Sequence, residues 1–148
     1  MNQVIRLMCF FFFMCGYSVF GQRILDSYST ENGLFVNAIY SCSFLSTGEL
    51  LLNSNDGLLV FDGINFSRYG ITSGLLDQDV LVAKKGGNDK VWLGSFNGQI
   101  SFFHQNEIHS ISYPSLFKKN TSWIYQIEPL PNDESVFVPY SGDLLHVQ

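Results

Sequence analysis

The segment from Tyr28 to Tyr69 slides by 41 positions, without a gap, onto the residues that follow it. Gly33 then falls on Gly74, Leu34 on Leu75, Ile39 on Val80, Leu52 on Leu93, Gly57 on Gly98 and Phe61 on Phe102. A third copy keeps phase once the shift grows to 44, the extra residues lying in "HQNEIHSIS". Tyr113 then matches Tyr69, Ile124 matches Val80, Gly142 matches Gly98, and Phe137 is set against Trp92. A chain that copies itself at a period in the low forties stacks one supersecondary unit beside the next, which leaves helical arrays and propeller blades as the candidates.

The local pattern decides between them. Each copy breaks into short runs of Ile, Val, Leu, Phe and Tyr separated by Gly, Asn, Asp and Ser, the alternation of strands and turns. In the first copy these runs are Ile39 to Phe44, Leu50 to Asn53, Leu58 to Phe61 and Asn65 to Tyr69. Beyond the N-terminal segment no i, i+3, i+4 stripe persists for the length of a helix. The sequence therefore predicts an all-β chain of four-stranded antiparallel β-propeller blades, about three of them and hence an incomplete ring: blade 1 over 33–69, blade 2 over 74–113 and blade 3 over 120–148, the last lacking its fourth strand. Gly33, Gly57, Gly74, Gly98 and Gly142 are read as structural turns, because tight primed turns require positive φ. Thr47-Gly48 and Asp62-Gly63 turn the neighbouring corners.

"RILDSY" at Arg23 to Tyr28 is similar to "INFSRY" at Ile64 to Tyr69, so residues 23–28 are expected to form a fourth strand with no first three before it. Propellers close in this way, the N-terminus supplying the outer strand of the last blade. Because rings need at least four blades, the chain is read as the N-terminal part of a longer one. Pairing of two such chains into a six-bladed ring is the alternative.

The N-terminus carries one cation, Arg6, then an apolar stretch and a small residue, Gly21, which is the order a secretory signal peptide requires. Leu7 to Phe20 is 14 residues, short of a bilayer span, so residues 1–21 are read as a signal peptide rather than an anchor. Cleavage there leaves Cys42 alone, so no internal disulfide is available and the core must hold the fold. Cys42 itself is expected to be a small buried residue. A formal net charge of −5 argues against nucleic acid or an anionic membrane as a partner.

"TGELLLNSNDGLLVFDGINFSRY", "NDKVWLGSFNGQISFF" and the opening "YSTENGL" resemble the two-component regulator propeller repeat. Asn32-Gly33-Leu34 occupies that family's first glycine site, Val91 to Ser95 its central strand, and Asp56-Gly57-Leu58 with Phe61-Asp62-Gly63 its last two turns. Leu51 and Asn53 stand where the pattern has tryptophan and glycine. The resemblance implies the exported sensor region of a bacterial signalling protein, periplasmic or extracellular. A membrane helix that tethers it and a histidine kinase or other output domain would follow in a longer chain. It also implies recognition of an extracellular ligand such as a glycan.

Chemistry beyond binding finds little footing. "KKGGNDK" lacks the end of a phosphate loop, no nucleophile elbow occurs, and the sialidase-type box is absent from "SNDGLLVF". His104, His109 and His146 fall on different strands, and Asp77 with Asp79, or Asp133 with Glu134, are neighbours in loops. No catalytic residue, metal site or cofactor is therefore assigned. Ligand contacts are expected on the loops before each first strand and between the second and third strands, since binding residues concentrate on loops. That face carries Glu31, Asn32, Asn37, Asn55, Gln78, Asp79, Asn97, Trp123 and Tyr140. Tyr40, Phe44, Phe61, Phe66, Trp92, Phe102 and Phe137 are expected to fill the space between blades. The sequence thus predicts a non-enzymatic sensor segment, with a free-standing scaffold or adhesion module as the alternative and a carbohydrate-active enzyme after that.

Overall fold

The computed structural model describes residues 27–112 and 122–148. The signal peptide, most of the strand expected at 23–28, and residues 113–121 lie outside the described residues. Ser27 and Tyr28, the described end of that expected strand, are not in a strand.

The described residues form three antiparallel sheets and no α-helix. The first sheet runs β1 (Ile39–Phe44), β2 (Leu50–Ser54), β3 (Gly57–Phe61), β4 (Phe66–Tyr69), each paired with the next. The second repeats the order with β5 (Val80–Lys85), β6 (Val91–Ser95), β7 (Ile100–His104) and β8 (Glu107–Ile111). The third has β9 (Ile124–Pro129), β10 (Ser135–Pro139) and β11 (Leu145–Val147). The first strands β1, β5 and β9 neighbour one another across the sheets.

Alternation with period two divides each central strand between two neighbours. Leu51, Leu58 and Val60 face the second sheet and meet Val80, Val91, Leu93 and Phe103. Trp92 and Ile100 point the other way, onto Ile124, Ile127, Phe137 and Leu145 of the third sheet. Burial of Phe137, which has no exposed surface, is alone worth roughly 1.5–3 kcal/mol. The far side of the first sheet is covered in part by its own leader: Leu34 and Val36 pack on Leu52 and Leu59, and Tyr28 contacts Phe61 and Phe66.

Each first strand carries a β-bulge at the same place. Ile39 pairs with Ser54 and Ser41 with Asn53; Val80 with Ser95 and Val82 with Gly94; Ile124 with Pro139 and Gln126 with Val138. The unpaired residues are Tyr40, Leu81 and Tyr125, and a bulge of this kind turns its side chain away from the ladder.

Three expectations are corrected. Phe137 is not the counterpart of Trp92: Pro139 pairs with Ile124 as Ser95 pairs with Val80, so Phe137 takes the place of Leu93 and faces back toward the second sheet. Tyr40 and Phe44 do not fill space between sheets, being 43% and 70% exposed, and Cys42 is exposed rather than buried. All three stand on β1, whose outer side nothing among the described residues covers; Ile39 there is 42% exposed, whereas its counterparts Val80 and Ile124 are sealed by the sheet in front. Trp92, Phe102 and Phe137 do meet between the second and third sheets, edge to face.

Candidate functional site

At one end of the sheets the segment entering each first strand meets the hairpin between the second and third strands, and one hydrogen bond recurs there. The backbone N–H of Asn55 donates to the Ala38 carbonyl at 3.2 Å, that of Phe96 to Asp79 at 2.9 Å, and that of Tyr140 to Trp123 at 2.9 Å. Asn55, Phe96 and Tyr140 are therefore one position in three copies. The hairpin backbone is fixed, and the side chain it presents is free to differ.

In the first copy that side chain stays at the surface but is tied back to the chain: Asn55 Oδ1 accepts from the Ala38 N–H at 3.3 Å. Asp56 beside it pairs with Arg68 and accepts from Gln78, while the Gly57 N–H donates to the Gln78 carbonyl at 2.6 Å. Glu31 and Asn32 lie in a short 3-10 turn, Thr30–Asn32, and Asn37 is exposed nearby. Gln78, expected at a ligand site, instead ties the first sheet to the second.

The second and third copies present aromatic rings. Phe96 lies 6.1 Å from Trp123, and Trp123 lies 5.0 Å from Tyr140, at tilts of 48° and 43°. All three remain exposed, Phe96 at 52%, Trp123 at 38% and Tyr140 at 69%. Ser122 fixes the approach to this platform, its Oγ accepting from the Ser141 N–H at 2.7 Å. Asp77 reaches the same hairpin, accepting from the Asn97 N–H at 2.9 Å. Asp79 Oδ1 accepts from the Tyr40 hydroxyl at 2.6 Å. That acceptance, with partial burial and the carboxylate's charge, holds the Tyr40 hydroxyl above the usual tyrosine range.

Of the residues named from sequence, the structure thus brings together Asp79, Asn97, Trp123 and Tyr140, and leaves Asn37 and Asn55 with the first sheet. Phe96 was missed. The repeat held the signal for it, because Phe96 lies 41 residues after Asn55 and 44 before Tyr140. Tyr40, assigned to packing, belongs at this end through its bond to Asp79.

Exposed rings held in a row can stack on the face of a polar cyclic ligand. The histidines do not join them: His109 stacks on Phe102 at 4.8 Å and His146 meets Glu134 at 2.8 Å. Among the described residues no group of His, Cys, Asp or Glu is arranged to hold a metal ion, and no helix is long and apolar enough to cross a membrane. No family model and no curated protein matches the chain.

Proposed function

We propose that this chain is the N-terminal part of an exported, non-enzymatic β-propeller sensor that recognises an extracellular ligand of the glycan class and passes the event to signalling domains in a longer protein. Three antiparallel sheets repeating one strand order, with their first strands side by side and the same bulge in each, support the reading as successive blades. The observation that carries the functional part is the row Phe96, Trp123 and Tyr140, exposed rings held on hairpins that the backbone fixes.

Trp123 makes the test direct. The chain has two tryptophans, and Trp92 is 2% exposed, so a ligand at the platform changes the emission of Trp123 alone. Titration of the mature chain with a panel of plant and microbial oligosaccharides should give a saturable Trp123 emission change that Phe96→Ala or Tyr140→Ala weakens. A flat response across the panel counts against a glycan sensor and leaves the scaffold reading in its place.

A further inference from the structure

The three rings of the row do not share a plane. Trp123 stands in the middle, tilted 48° from Phe96 and 43° from Tyr140, with centroids 6.1 and 5.0 Å away. The backbone beneath them holds this turn in place. Phe96 and Tyr140 occupy one hairpin position in successive sheets, and packed sheets lie at an angle that turns one position against the other. Trp123 is tied to the Tyr140 hairpin twice over. Its carbonyl accepts from the Tyr140 N–H at 2.9 Å, and the neighbouring Ser122 hydroxyl accepts from the Ser141 N–H at 2.7 Å and donates to the Ser141 carbonyl at 3.1 Å. At the other end of the row, the Phe96 N–H donates to the Asp79 carbonyl and the Asn97 N–H to the Asp77 carboxylate, both at 2.9 Å.

We infer that this platform selects a glycan by the shape of its chain, taking one whose successive units turn in preference to a flat ribbon. The inference rests on the saccharide-binding reading above and adds the conformation of the ligand to it. A sugar stacks when its apolar face lies flat on a ring, because dispersion is lost quickly with separation: a gap of about 0.5–1 Å already forfeits a quarter to a half of each contact. A ribbon whose units all face one way therefore stacks on one ring of this row and lifts off the next, which slopes away by 43° or 48°. A chain that turns between units brings a second face onto a second ring. Cellohexaose is a flat ribbon, and laminarihexaose, built from the same glucose units through a different linkage, curls. Neither carries charge, so the pair isolates shape.

The test titrates the mature chain with each hexamer and reads Trp123 emission. Laminarihexaose should bind about fivefold or more tighter, the gain from one further aromatic contact. Phe96→Ala combined with Tyr140→Ala leaves Trp123 as the single ring of the row, and the two hexamers should then bind within about twofold of each other. Either substitution alone, each at an exposed residue, should weaken laminarihexaose more than cellohexaose. Equal or tighter binding of cellohexaose overturns the shape selection and leaves the saccharide platform standing, as does a response confined to other members of the oligosaccharide panel. A preference for laminarihexaose that survives the double substitution overturns the assignment to this row, and no emission change with any saccharide contradicts both readings.

Discussion

The two ends of these sheets are built from the same strands in opposite ways. At the corners between first and second strands, side chains join one sheet to the next: Ser46 Oγ donates to Asp89, and Lys90 pairs with Asp133 while lying over the rings of Trp92 and Phe102. At the hairpins between second and third strands, one backbone hydrogen bond to the entering segment recurs in all three copies, and in the second and third copies the side chain at that position, Phe96 or Tyr140, is left exposed. The contrast separates positions that hold the fold from positions that are available to a ligand, which sequence similarity between copies does not do by itself.

Substitutions at the two ends should therefore differ in what they break. The largest effect is expected at Gly57, which has φ of +96° and where a Cβ would lie 2.3 Å from the Tyr69 carbonyl oxygen. Gly57→Val should cost about 3 kcal/mol or more in a urea melt, because strain and a backbone clash act together. Gly98 has φ of +74° in the second hairpin, and Gly98→Val should cost about 1–3 kcal/mol by the same melt. An unchanged midpoint in either would break the claim that the hairpin end is held through its backbone.

Lys90→Met sharpens the other half. It removes the partner of Asp133, whose Oδ1 is already buried without a hydrogen bond, so a loss of about 1–2 kcal/mol is expected in spite of the retained stem. A smaller effect belongs to Asp62 in the corner leading to β4. Its carboxylate accepts from the N–H groups of Asn65 and Ile64, both at 2.7 Å, and these bonds hold its pKa below the ordinary 3.8. A depressed carboxylate stabilises above its unfolded value and loses that contribution as pH falls through the folded one. Thermal midpoints of the protein and of Asp62→Asn should accordingly converge below pH 3.8 and separate above it. The smallest change is expected for Trp123→Ala, within about 0.5–1 kcal/mol, since the ring is a surface group whose loss uncovers little. Binding, not stability, is what that substitution should remove.

Strands and glycine turns were legible because short β-branched and aromatic runs between turn residues admit few alternatives, and Gly33, Gly57, Gly74, Gly98 and Gly142 all have positive φ. Turns without glycine escaped. Gln105 and Asn106 hold φ of 49° and 62° between β7 and β8, and Asn88 and Asp89 hold 50° and 57°, by side chains that only weakly announce it. Burial escaped as well, because it belongs to the neighbouring sheet rather than to the strand: Ile39 and Val80 align, yet one is half-exposed and the other sealed. The misplaced Phe137 shows the cost of aligning a divergent copy by residue type, when the bulge and the pairing of Pro139 with Ile124 set its register. At the candidate site, asparagine and aspartate were visible as loop residues in every copy, and the spacing of 41 and 44 residues already set Phe96 in register with Asn55 and Tyr140, while the hairpin geometry brings its ring beside Trp123.

Amide hydrogen exchange followed residue by residue by NMR tests the central claim most directly. Protected amides should recur at 41 and then 44 residues along β2, β6 and β10, with fast exchange at the bulged Tyr40, Leu81 and Tyr125 in each first strand. Protection in continuous helical blocks, or protected stretches that ignore this spacing, would contradict it.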